Sequence, residues 1–290
     1  MLFSIVIPAY NAEATIRKTL NSVLNQVFED FEVVVIDDGS TDSTPIILEE
    51  YSCKDNRIHV YTFKNSGVSV ARQHGINNSN GRFIVFVDSD DSIEPELLSV
   101  LDGIIKSYPS TDLIRFQSRI IQDNPQKDHE RYNYYEPSQS FLSGVDAVRT
   151  WSTLDKKYAV FWLFAFSRTL FYQKSFPENL RCYEDIALIP ALIGTASSVV
   201  TIDYIGYNYT YNNSVSLTHD KNLAIQKART QDLYKSCEYS LSNFKRLPNI
   251  TSDDVSLLEK YYQRHLNRKF HSLDNELKDE LTNIHYGRYK

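Results

Sequence analysis

Short apolar runs rich in β-branched residues alternate with stretches of helical spacing through the first part of the chain. Phe3 to Ile7 is a compact apolar run stopped by Pro8. Ala12 to Gln26 sets Ile16, Leu20, Val23 and Leu24 on one helical face. Glu32 to Ile36, Ile58 to Phe63, Phe83 to Val87 and Asp112 to Phe116 read as further strands. Between them, Asp42 or Ser43 caps a helix through Tyr51 with Pro45 in its first turn. Gly67 to Asn77 reads as a short helix, and Pro95 opens another through Ile105. Buried β-branched strands separated by helices predict an α/β fold with a mostly parallel central sheet flanked by helices. Ligands of such sheets sit at the carboxyl ends of the strands. There the chain places its acids: Asp37-Asp38 after the second strand and Asp88-Ser89-Asp90-Asp91 after the fourth.

Beyond the fifth strand the pattern changes. Gln122 to Ser140 turns polar and reads as a surface loop or insertion. Ala159 to Phe166 is the longest apolar run, but a membrane span needs roughly 20 residues, so it predicts a buried strand or a core helix. After His219 the spacing is helical over Leu223 to Phe244 and Asp253 to His271, with a break at Leu247-Pro248-Asn249. The net charge of −6 and the absence of a long basic stripe argue against a nucleic-acid partner. Cys53, Cys182 and Cys237 form no C-x-x-C pair, which points away from a disulfide framework or zinc knuckle and toward a reducing compartment. The start of the chain has no basic leader or cleavage site, so a cytoplasmic location is expected.

The acids suggest chemistry, each with a plainer alternative. Asp88 and Asp90 leave a strand end one residue apart, and hard carboxylate oxygens suit Mg²⁺ or Mn²⁺. The alternative is that Asp91 or Ser92 caps the helix begun near Pro95. Asp38 can accept a hydrogen bond from a base N–H or a ribose hydroxyl; the alternative is a β-turn before a capped helix. Tyr10 follows the first strand, where an aromatic ring stacks on a base or simply packs.

Four blocks recur in order: Ser4-Ile-Val-Ile-Pro-Ala-Tyr-Asn11, Val35-Ile-Asp-Asp-Gly-Ser-Thr-Asp42, Asn65-Ser-Gly-Val-Ser-Val-Ala-Arg72 and Gly81-Arg-Phe-Ile-Val-Phe-Val-Asp-Ser-Asp-Asp91. Together they resemble the family-2 inverting glycosyltransferases of GT-A, Rossmann-like fold, in the bacterial polysaccharide-building subgroup. The close match covers roughly the first third of the chain. The resemblance implies that Tyr10 faces the base, that the backbone at Pro8 contacts the nucleoside, and that Asp38 bonds the uracil edge. It places Arg72 beside the base or diphosphate, Asp88 near the ribose with Ser89 in the same donor site, and Asp90 on a metal that bridges the diphosphate. For Arg72 the alternative is a structural ion pair with a strand-end aspartate.

A second resemblance, to the acceptor side of the same subgroup, rests on Trp162-Leu-Phe-Ala-Phe-Ser-Arg-Thr-Leu170, Phe176-Pro-Glu-Asn-Leu180 and Glu184-Asp185-Ile186. It implies Asp185 as general base, with Glu184 as a helper; an acceptor hydroxyl needs such a group to take its proton. The alternative is that both acids favour a helix N-terminus. Many relatives carry a polar residue after the tryptophan where this chain has Leu163, so the resemblance implies that a side-chain contact to the acceptor is absent here. Tyr207-Asn-Tyr-Thr-Tyr-Asn-Asn-Ser-Val-Ser216 resembles a tyrosine-rich strand and Ser-x-Ser loop that closes on the diphosphate; the alternative is a half-exposed strand with alternating aromatics. His219 is a further metal-ligand candidate or a solvated loop residue.

The resemblance implies a GT-A catalytic domain over 1–218, with a nucleotide-sugar-binding half at 1–110 and an acceptor half at 111–218, followed by a C-terminal helical region at 219–290. The implied activity is metal-dependent transfer of a hexosyl or N-acetylhexosaminyl group from a nucleotide-sugar, UDP-linked in first place, to a carbohydrate or lipid-linked carbohydrate in cell-surface polysaccharide synthesis. In the C-terminal helices Lys260, Arg264, Arg268 and Lys269 accompany Tyr261, Tyr262, Leu266 and Phe270. Such a face suits peripheral attachment to the inner face of the cell membrane. The acidic stretch from Asp274 to Glu280 weakens that patch, and packing on the catalytic domain or on a second subunit of a homodimer is the favoured reading. Three rivals remain. A nucleotidyltransferase needs a glycine- and lysine-bearing loop after the first strand, and a Rossmann dehydrogenase needs G-x-G-x-x-G there; neither is present. A non-catalytic nucleotide-binding subunit is disfavoured by the intact acids.

Overall fold

The elements follow the chain as β1 (Phe3–Ala9), α1 (Ile16–Leu24), β2 (Phe31–Asp37), α2 (Thr44–Lys54), β3 (Ile58–Thr62), α3 (Val68–Asn77), β4 (Phe83–Phe86), β5 (Ser92–Ile93) and α4 (Leu97–Ser107). Then come β6 (Leu113–Gln122), β7 (Ser140–Leu142), α5 (Gly144–Thr153), β8 (Phe164–Ser167), α6 (Glu184–Thr195), β9 (Val199–Tyr211), α7 (Leu223–Phe244) and α8 (Ser252–His271). The computed structural model describes residues 1–122, 140–154, 159–172, 176–177, 180, 182–211, 222–271, 273 and 278.

β1 and β2 are buried along their whole length, which is why they read as near-continuous apolar runs; the buried polar pair within them is matched, Ser4 donating to Glu32 Oε1 at 2.6 Å. They pair in parallel, Phe3 beside Phe31 and Ala9 beside Asp37. β3 and β4 extend this parallel half on either side. The expectation of a mostly parallel sheet gives way beyond β4, because the sheet is mixed there. The full order is β3-β2-β1-β4-β8-β6-β9-β5, with β7 also on β9. β8 runs antiparallel to both β4 and β6, while β6 and β9 are parallel. The run from Ala159 becomes a 3-10 turn at Phe161–Leu163 followed by β8. Its aromatic rings fill the centre: Phe86 meets Phe161 at 5.1 Å and Phe166 at 6.2 Å between centroids. Each such buried ring contributes about 1.5–3 kcal/mol.

The caps differ in part from expectation. Asp42 accepts from the Thr44 amide at 2.9 Å at the start of α2. α4 takes Glu96 as its N-cap, and neither Asp91 nor Ser92 caps it. Ser92 instead lies in β5, and Asp91 turns inward. The C-terminal helices dock on the second half: α7 packs on α6, and α8 packs on α5 and α7. Arg149 of α5 binds Asp254 of α8 through both Nε and NH2. Tyr262 donates to Ser240 Oγ at 2.6 Å, joining α8 to α7. No helix among the described residues is long and apolar enough to cross a membrane.

Candidate active site

The carboxyl ends of β1 and β2 form the first wall. Asp38 is buried, and its two oxygens accept from the amides of Ser66 and Gly67, each at 2.8 Å. Gly67 is the N-cap of α3, so a carboxylate sits where the helix dipole favours it. Gly39 closes the turn after Asp38 with φ +76°, and a Cβ there would lie 2.7 Å from the Asn65 nitrogen. Only glycine fits that approach. Asn11, at φ 48°, accepts from the Thr41 amide at 2.8 Å and donates its own amide to Ser40 Oγ. Between these ties Pro8 is buried in β1, and Tyr10 projects from its end with half its surface exposed.

α3, anchored by Asp38, carries Arg72. This buried guanidinium binds Glu184 through NH1 and Asp88 Oδ1 through NH2 at 2.8 Å, with its charge 5.3 Å from the Phe161 ring centre. Burial opposes the charge, but Asp88, Glu184 and Asp185 outweigh it and raise the Arg72 pKa. Arg72 therefore joins the loop after β4 to the first turn of α6. The ion pair with a strand-end aspartate is present, and it sits inside the candidate site.

The loop after β4 divides its acids. Asp88 faces Arg72. Asp90 is exposed and has no ion pair among the described residues; local desolvation and the charge of Asp88 raise its carboxyl to about 6. Asp91 is wholly buried, accepting from Tyr207 at 2.7 Å and from the Thr210 amide at 2.6 Å. Thr19 of α1 donates to the carbonyls of Ser89 and Asp91, at 3.0 and 2.8 Å. Sequence reasoning singles out Tyr207 and Thr210 only as part of the tyrosine-rich block and does not mark Thr19. It misses their support of this loop, since each acts across a long separation.

α6 opens on Tyr183, a non-glycine residue in the left-handed region at φ 66°. Such a bend costs of order 1–3 kcal/mol and persists only where the surroundings enforce it. It delivers Glu184 inward to Arg72 and leaves Asp185 half-buried, accepting from the Ile186 amide at 2.7 Å. Burial and the neighbouring Glu184 push the Asp185 carboxyl up to about 7, against the pull of Arg72. That is a suitable value for a base working near neutral pH. Leu163 is fully buried, and Trp162 stacks on Tyr207 at 4.7 Å, so this stretch faces the core. His219 and the Ser-x-Ser loop lie outside the described residues. Among the described residues no three His, Cys, Asp or Glu side chains form a metal cluster. Two carboxylates with surplus negative charge still fit a hard cation, because Mg²⁺-type sites use one or two carboxylates plus substrate phosphates.

The model for glycosyl transferase family 2 matches residues 4–170, which spans both acidic loops and β8. The chain belongs to glycosyl transferase family 2. The cholesterol galactosyltransferase of Borreliella burgdorferi is 24% identical over 95% of this chain and 83% of its own length. The putative teichuronic acid biosynthesis glycosyltransferase TuaG of Bacillus subtilis is 43% identical over 33% of this chain. The chain spans between 15% and 39% of the length of three curated relatives, GlyA, EpsH and TuaG. Staphylococcus aureus TarS 1-349 in complex with UDP superposes with a TM-score of 0.73 at 23% identity, over 98% of this chain and 78% of that one. The mannosyltransferase PcManGT of Pyrobaculum calidifontis, solved with GDP-Man and Mn²⁺, gives 0.59 at 15% identity, over 97% and 78%. These likenesses establish the GT-A fold of this family-2 chain.

Proposed function

We propose that this family-2 chain transfers a sugar, with inversion, from a nucleotide-sugar to a hydroxyl of a glycan or lipid-linked glycan in cell-surface polysaccharide synthesis. A UDP-sugar is the donor in first place. UDP in the TarS complex supports this donor, and the teichuronic acid role in the name of TuaG supports the polysaccharide setting. The observation that carries the proposal is the bridge made by Arg72, which joins Asp88 on the donor side to Glu184, next to Asp185, on the acceptor side.

Asp185 takes the proton of the acceptor hydroxyl as it attacks the anomeric carbon. Asp90, with Asp88 beside it, would hold Mn²⁺ or Mg²⁺, which would offset the charge that develops on the leaving diphosphate. Tyr10 and the backbone at Pro8 flank the base, Asp38 lies at its edge, and Asp88 and Ser89 border the ribose. Glu184 keeps Arg72 in place. The division at 218/219 belongs to the same proposal: residues 1–218 carry catalysis, and the helices of 219–290 support α6.

A thermal-shift screen of nucleotide-sugars with Mn²⁺ identifies the donor through ligand linkage. Asp185→Asn then loses transfer by about 10²–10⁴-fold, the usual worth of acid–base catalysis, while still binding donor. Asp90→Asn loses transfer together with metal-dependent donor binding. Turnover at the wild-type rate by either variant removes that residue from the mechanism.

A further inference from the structure

The loop that carries Asp88 and Asp90 is held from below by a pair of side chains without a role in the chemistry above. Tyr207 of β9 is fully buried, its ring stacked on Trp162 at 4.7 Å and 16°. Its hydroxyl accepts from the Asp88 amide at 3.1 Å and donates to Asp91 Oδ2 at 2.7 Å. The other oxygen of Asp91 accepts from the Thr210 amide at 2.6 Å, and the Asp91 amide donates to the Asp88 carbonyl at 3.1 Å. One phenol and one carboxylate thus fix both ends of the four-residue loop to a single strand. Asp90 is the residue of this loop left pointing outward.

We infer that Tyr207 and Asp91 are positioning residues: a buried clamp that sets Asp88 and Asp90 at the spacing needed to receive the donor diphosphate and its cation. The inference rests on the donor-site reading above. Three features support it. The hydroxyl uses its lone pair on Asp88 and its proton on Asp91, so rotating or removing it frees both. The Tyr207 ring is fully buried and stacked on Trp162, so its hydroxyl stays aimed at the loop. A carboxylate is also costly in a wholly buried place; an apolar residue would pack there at less expense unless the hydrogen bonds mattered. β9 carries the first part of the tyrosine-rich block, Tyr207 to Tyr211, so the clamp also aligns that strand with the loop.

The test uses the full chain with Tyr207→Phe, which keeps the ring and its stacking, and Asp91→Asn as a second variant should the first fail to fold. Amide hydrogen exchange is followed over residues 87–92 in ligand-free protein, and binding of UDP with and without Mn²⁺ is measured by calorimetry. The clamp requires faster exchange confined to residues 87–92 and UDP–Mn²⁺ binding weakened by about tenfold. Wild-type exchange and wild-type affinity in Tyr207→Phe overturn it. If wild-type protein binds UDP equally with and without Mn²⁺, the metal role of Asp90 falls instead. Exchange then decides the clamp alone: unchanged exchange refutes it and faster exchange upholds it.

Discussion

Asp38 at the end of β2 and Asp90 beyond β4 are both aspartates at strand ends of one sheet, yet their surroundings treat them in opposite ways. Asp38 is buried and accepts from two backbone amides. Asp90 is exposed, has no ion pair among the described residues, and is pushed up to about 6 by desolvation and by Asp88. Asp185 resembles Asp90, with a carboxyl raised to about 7. A saturated carboxylate organises the chain around it. A carboxylate left short of partners stores electrostatic free energy that a cation or a proton can release. Arg72 separates the two classes, since it pairs with Asp88 and Glu184 and makes no ion pair with Asp90 or Asp185 among the described residues.

Removing that separator has the largest expected effect. Arg72→Met leaves Glu184 buried beside Asp185 without its counter-charge, and breaking a buried pair costs about 3–5 kcal/mol. Denaturant titration should show the midpoint falling with an unchanged slope. Adding Glu184→Leu to Arg72→Met should restore a good part of the loss, because the stranded charge goes with it. A loss under about 1 kcal/mol for Arg72→Met would mean that solvent already screens the pair, and Arg72 would no longer divide the site.

Asp38 comes next. Asp38→Ala orphans the Ser66 and Gly67 amides and removes the anion at the start of α3. The cost is about 1–3 kcal/mol, toward the low end because Ser66 is exposed and water can replace the lost acceptor. Asp38→Asn retains one acceptor and should lose less. Nucleotide affinity sharpens the contrast. If Asp38→Asn loses UDP binding with unchanged stability, the carboxylate serves the base more than it serves α3.

What could be read from the sequence follows the same division. β1, β2 and β4 were legible because strands buried on both faces are near-continuous apolar runs. The greasy run from Ala159 was ambiguous, since periodicity alone does not separate a buried strand from a helix. Its antiparallel insertion between β4 and β6 depends on long-range pairing that no local pattern records. The spacing and motif resemblance made Asp90 and Asp185 candidates. They could not show that Asp91, next in the chain and chemically identical to Asp90, turns inward to Tyr207. Nor could they show that Arg72 reaches a partner 112 positions away. These facts arise from the tertiary fold, where a step of one residue exchanges an exposed acid for a buried, structural one.

The smallest effect is a gain in stability from losing an acid. In the folded chain the Asp185 carboxyl titrates near 7, above its ordinary 3.8. Between those values the native state holds a proton that the unfolded state has released. Stability from this group therefore falls as pH rises through the window, and the full cost is present above about pH 7. Asp185→Asn removes that cost and keeps an oxygen for the Ile186 amide. It should raise stability at pH 8 by about 1–2 kcal/mol, less than the full shift implies because the side chain is only half-buried and shares its charge with Glu184. At pH 4 the gain should vanish, since the wild-type group is then protonated in the native state and uncharged like the amide. Asp90→Asn should show the same sign with a smaller amplitude, because that carboxyl is exposed. Thermal melts of the two variants at pH 4, 6 and 8 check this. A destabilised Asp185→Asn at pH 8 would mean that the charged carboxylate supports the start of α6 through the helix dipole, and that Asp185 belongs with Asp38 among the residues that organise the chain.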